Sequence, residues 1–92
     1  MQVRIGIIGA GFVADIHAKA LAGIRDVDLE VVAVAALPLV DAQAFADRHG
    51  IADAYDDYRR ILAREDVNLV HICTPNFLHA PFAIAAAEAG KT

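Results

Sequence analysis

The chain has one cysteine, one methionine, no tryptophan and three prolines in 92 residues. A single thiol, Cys73, excludes an internal disulfide, which fits a reducing, cytoplasmic setting. Within a strand-like segment, Cys73 reads as a small buried hydrophobe rather than a nucleophile. Eight basic against twelve acidic residues leave a net charge of −4, and no basic run occurs, so the footprint of a nucleic-acid binder is missing. No apolar stretch reaches the roughly 18 residues of a membrane span. The four histidines stand far apart in the sequence, and no pair has a standard metal-ligand spacing.

What is abundant is small and branched apolar side chains. Apolar residues make up 58% of the chain, much of it Ala, Val and Ile. That suits a single layered α/β domain over residues 1–92. It is also high for so short a chain, which has little interior to hide it. Some of that surface is therefore expected to be covered by a partner or by a further domain.

The stretch VRIGIIGAGFVA at positions 3–14 organises the rest. Val3, Ile5, Ile7 and Ile8 read as a strand buried on both faces, of the kind found in parallel sheets. The strand then breaks into Gly9-Ala10-Gly11-Phe12-Val13-Ala14, which matches G-x-G-x-x-G/A. Gly9 suits a tight turn that a Cβ would obstruct, Gly11 lets a pyrophosphate approach the main chain, and Ala14 lets the new helix pack against the strand. The free N–H groups and dipole of that helix favour negative charge. A strand-to-helix turn without a ligand is the competing reading of the same glycines.

The first helix is expected over Phe12–Ala22, with Val13, Ile16, Ala20 and Leu21 as its apolar stripe and Gly23 as its stop. His17 reads as a helix-surface or interface residue rather than a ligand. A second strand follows over 29–36. In a dinucleotide unit its end carries an acid that accepts hydrogen bonds from the adenosine ribose. Here Ala36 stands in that place, and Leu37, Pro38, Leu39 and Val40 follow it. Two explanations compete: an apolar rim of the cofactor site that packs on adenine, or a contact patch of Leu37, Leu39 and Val40 for another subunit or domain.

A second helix is expected over 41–49, burying Ala42, Phe45 and Ala46 and ending at Gly50. A short strand or extended link covers 51–55. Asp56 and Asp57 open a third helix with Tyr58, Ile61 and Leu62 behind them. A strong strand lies at 68–74, within which His71 reads as hydrogen-bonded or edge-exposed. Pro81 is placed in the first turn of a last helix that ends at Gly90.

Three features in order then resemble the N-terminal domain of the Gfo/Idh/MocA oxidoreductase family: the glycine turn running on to His17, Tyr55-Asp56-Asp57-Tyr58, and Ile72-Cys73-Thr74-Pro75-Asn76-Phe77-Leu78-His79. The resemblance covers almost the whole chain. It implies a three-layer Rossmann-like unit with an incomplete parallel sheet of strand order about 3-2-1-4, and a site for NAD or NADP. It places Gly9, Gly11, Phe12 and Val13 at the pyrophosphate, Ala36 at the adenosine end, and Thr74, Pro75, Asn76 and His79 near the nicotinamide. Family members continue into a strand ending in Glu-Lys-Pro, whose Lys assists catalysis, and then a substrate domain for a sugar or polyol. Without these, no dehydrogenase activity is expected of these 92 residues alone. The alternative is a self-associating structural module, a homo-oligomer joined through an open edge at the last strand and the 37–40 patch.

Overall fold

The computed structural model describes residues 2–24, 27–73 and 76–91, with the backbone alone for 76–80 and 82. Strand β1 (Gln2–Ile8) leads into helix α1 (Phe12–Ala22), strand β2 (Asp28–Ala35) and helix α2 (Leu39–His49). Strand β3 (Asp53–Tyr55), helix α3 (Tyr58–Leu62), strand β4 (Leu69–Ile72) and helix α4 (Asn76–Glu88) follow. The four strands are all parallel, in the order β3-β2-β1-β4, as expected.

The apolar content of β1 explains its central place. Ile5 and Ile7 are fully buried and Ile8 nearly so. Ile5 and Ile7 join α1 and α2 in one core, with Ala14, Ala18, Leu21, Phe45 and Ala46. The opposite face packs Val32, Ala33 and Ala35 against Ile61 of α3 and Val67. These two cores make three layers. The register of β1 against β2 slips between Ile5 and Gly6, which pair with Val31 and Ala33. The slip passes over Val32 and turns it to the α3 face along with Ala33 and Ala35.

α1 has the expected bounds, but its buried side differs from the expected stripe. Ala14, Ala18 and Leu21 face the sheet, while Val13 and Ile16 are about half exposed. Two alanines and Leu21 thus hold the inner face, and the larger branched Val13 and Ile16 turn outward. α2 buries Ala42, Phe45 and Ala46 as expected, and Gly50 ends it at φ +66, where the Ile51 N–H donates to Ala46 O.

Two helix starts differ from expectation. α2 begins at Leu39, two residues before Asp41, because Pro38 in extended conformation serves as its N-cap. Leu39 and Val40 are thus helical first-turn residues rather than loop residues. α4 begins at Asn76, so Pro81 lies inside it instead of in its first turn. A proline there removes one backbone bond, to the carbonyl of residue 77, and leaves the rest of the ladder intact. Strand bounds also move slightly: β2 covers 28–35 and β4 covers 69–72.

β4 forms one edge of the sheet, as expected for the last strand. Among the described residues no helix is long and apolar enough to cross a membrane.

Candidate functional site

The chain leaves β1 on one side toward β2 and β3 and returns on the other as β4. The carboxyl ends of β1 and β4 therefore flank the crevice where open α/β sheets bind ligands. Main-chain bonds fix its walls. The Gly9 N–H donates to Ala35 O at 2.8 Å, joining the turn to the end of β2. The Cys73 N–H donates to Ile8 O at 2.8 Å, joining the end of β4 to the end of β1.

Gly9 has φ +111, a conformation that side chains oppose. Gly11 is the N-cap of α1 at φ −88 and ψ −165, and a Cβ built on it would meet nothing within 4 Å. That open space lies against the start of the helix. The Asp15 N–H makes the first helical bond, to Gly11 O at 3.1 Å, so the preceding N–H groups of α1 have no acceptor within the helix. Gly11, Phe12 and Val13 are all exposed. A glycine turn, free N–H donors and the positive end of a helix dipole thus converge on one open spot, which fits a pyrophosphate.

Of the other residues singled out in the sequence, Ala36 follows β2 directly and is half-buried, with its N–H donating to Tyr55 O at 3.0 Å. Leu37 is 78%, Val40 64% and Leu39 37% exposed. Thr74 and Pro75 lie outside the described residues, and so do the side chains of Asn76 and His79, whose backbone forms the first turn of α4.

The fold also brings together residues that the sequence keeps far apart. Asp15 Oδ1 sits 2.6 Å from His49 Nε2 and 3.2 Å from Arg48 Nη2, tying α1 to α2 one turn beyond the glycines. The His49 hydrogen bond, with help from Arg48, holds the Asp15 carboxyl below its usual range. On the other flank of α1, His17 meets His71 of β4. The one sequence hint was polar residues at positions 15 and 17, which a helix turns to different flanks. Cys73 packs half-buried against the α1 core, and burial raises its thiol pKa. Among the described residues no group of three His, Cys, Asp or Glu could hold a metal ion.

A groove of about 510 Å³ lies at the opposite end of the strands, lined among others by Arg4, Glu30, Arg64 and Asn68. Its two arginines are paired within the fold: Arg64 with Asp53 and Asp66 at 2.7 Å each, and Arg4 with Asp28 at 3.2 Å. It is built as a polar seam under the sheet, away from the crevice.

A parallel sheet with this strand order, and a glycine turn at its reversal point, defines a dinucleotide-binding Rossmann unit. The family model "Oxidoreductase family, NAD-binding Rossmann fold" matches residues 3–92, and the chain belongs to this Gfo/Idh/MocA family. It is 44% identical over 90 residues to an uncharacterised oxidoreductase of Rhizobium meliloti, covering 97% of this chain and 26% of that one. It is 38% identical over 97 residues to the levoglucosan dehydrogenase of Pseudarthrobacter phenanthrenivorans, covering 98% of this chain and 25% of that one. A solved levoglucosan dehydrogenase in complex with NADH superposes with a TM-score of 0.91 at 35% identity, covering 99% of this chain and 26% of the other. The chain therefore spans about a quarter of the length of the relatives it matches. These comparisons give the alternative of a self-associating structural module no support.

Proposed function

We propose that the chain is the NAD(P)-binding part of a dehydrogenase that moves hydride between a sugar or polyol carbon and a nicotinamide. The observation that carries this is the Gly9–Gly11 turn, opening onto free helix N–H groups at the reversal point of the sheet. The relatives support the substrate class, since levoglucosan and inositol dehydrogenases are among them.

In this reading residues 1–92 form one binding domain. Its work is to bind and orient. The backbone of Gly9, Gly11, Phe12 and Val13 holds the pyrophosphate, Ala36 faces the adenosine, and Thr74, Pro75, Asn76 and His79 line the approach to the nicotinamide. The bound nicotinamide supplies the hydride donor or acceptor. A proton acceptor for the substrate hydroxyl and a substrate pocket come from outside these residues. Leu37, Leu39 and Val40 then form an apolar rim beside the adenosine.

The test is a fluorescence titration of the 92-residue chain with NADH and NADPH. Saturable binding at millimolar cofactor or below is expected. Absence of saturation with both overturns the reading.

A further inference from the structure

We propose that the adenosine end of the site does not select between NAD and NADP, and that residue 36 is the position that sets this. The proposal rests on the dinucleotide reading above and goes further, to the selectivity of the same site.

Residue 36 is held from two sides. Its N–H donates to Tyr55 O of β3 at 3.0 Å, and the preceding carbonyl, Ala35 O, accepts the Gly9 N–H at 2.8 Å. It therefore stands at the lip of the crevice, one residue from the contact that fixes the glycine turn. In a βαβ dinucleotide unit this is where the ribose hydroxyls of adenosine arrive. A carboxylate at this lip accepts a hydrogen bond from a 2′-hydroxyl and repels a 2′-phosphate, whereas an arginine does the reverse.

Ala36 offers only a methyl group, which does neither. The next side chain is no substitute, because Leu37 is apolar and 78% exposed. Pro38, Leu39 and Val40 continue without a charge or a hydrogen-bonding side chain. Asp57, Arg59 and Arg60 at the neighbouring α3 are engaged elsewhere. Asp57 is paired with Arg59 at 2.7 Å, and the Arg60 guanidinium lies 5.5 Å over the Tyr55 ring. Among the side chains of residues 36–40, none distinguishes a hydroxyl from a phosphate. The apolar side chains 36, 37 and 40 instead present a surface on which a ribose and an adenine edge can lie with either substituent pointing to water.

The experiment measures Kd for NADH and for NADPH at one fixed salt concentration, for the wild-type chain and for Ala36→Asp and Leu37→Arg. The two cofactors differ only at the 2′ position, so their Kd ratio cancels every contribution from the rest of the site. The wild-type ratio is expected within about threefold of unity. Ala36→Asp is expected to shift the ratio toward NADH by roughly tenfold or more, and Leu37→Arg toward NADPH by a similar factor. Leu37 is exposed, so its replacement tests the rim even where a carboxylate at 36 impairs folding. A wild-type preference above about tenfold, or a ratio that neither variant moves, overturns the role of residue 36 and leaves the dinucleotide reading standing. Binding of neither cofactor by the wild-type chain overturns both.

Discussion

His17 Nδ1 lies 3.1 Å from His71 Nδ1, with the rings edge-to-face and their centroids 5.3 Å apart. The contact joins α1 to the edge strand β4, on the flank of α1 away from Asp15 and α2. It needs one nitrogen to donate and the other to accept, so protonating both rings breaks it. Burial, with the charge of His17 second, holds the His71 pKa below its ordinary value.

The first prediction follows from that sign. The folded state favours neutral His71, so its contribution to stability is present above the unfolded pKa of about 6.5 and is lost as pH falls through the lowered folded value. Urea melts of the wild-type chain should show the midpoint falling from about pH 7 to about pH 5. His71→Leu should flatten that part of the profile. An equally steep fall in the variant would place the acid sensitivity in other groups.

A second prediction concerns the short helix α3. Asp57 is its N-cap and accepts a bond from the Arg59 N–H at 2.9 Å. The Arg59 side-chain and backbone bonds hold its carboxyl at about 2, below the ordinary 3.8. This stabilisation is complete above 3.8 and disappears as pH falls through about 2. Asp57→Ala should lower the melting temperature by a few degrees at neutral pH, and Asp57→Ser should restore most of it. Equal melting temperatures for the Ala and Ser variants would mean that the cap contributes nothing.

A third concerns Gly6, whose missing Cβ makes room for α3. A Cβ there would lie 2.4 Å from Ile61 Cγ2, and Ile61 is fully buried. Gly6→Ala should cost about 1–3 kcal/mol by overpacking. Ile61→Ala alone should cost about 2–5 kcal/mol through the cavity it leaves. Together they should cost clearly less than the sum, because the new methyl enters the space that Ile61 vacates. Additive costs in urea melts would show that the strand and helix move apart instead.

The features legible in the sequence are those set by local chemistry. The glycine turn, the buried isoleucines of β1, the bounds of α1 and the inner face of α2 all follow from spacing and residue type. What escaped needed the third dimension. The outward turn of Val13 and Ile16 depends on which side of α1 meets the sheet, which periodicity alone does not fix. The role of Gly6 depends on Ile61, 55 positions away. The pairing of Asp15 with His49 and of His17 with His71 depends on which helix flank meets which neighbour. The start of α4 differs because a proline suits the opening turn of a helix, whereas Pro81 lies inside α4 at the loss of one backbone bond.

The two turn glycines should separate folding from binding, which makes them the sharpest test of the site. Gly9 has φ +111, so Gly9→Ala forces an L residue into a conformation it resists, at about 1–2 kcal/mol. Gly11 has an ordinary extended conformation, and a Cβ there meets nothing within 4 Å. Gly11→Ala should therefore leave the urea midpoint almost unchanged, within about 0.5 kcal/mol. The same methyl would fill the space against the helix N–H groups, where the proposed pyrophosphate lies. NADH affinity should then fall on the order of tenfold, about 1.4 kcal/mol. Gly9→Ala should lose both stability and binding, and Gly11→Ala only binding. A Gly11→Ala chain that binds NADH as the wild type does would show that the open space beside α1 is not where the phosphates sit.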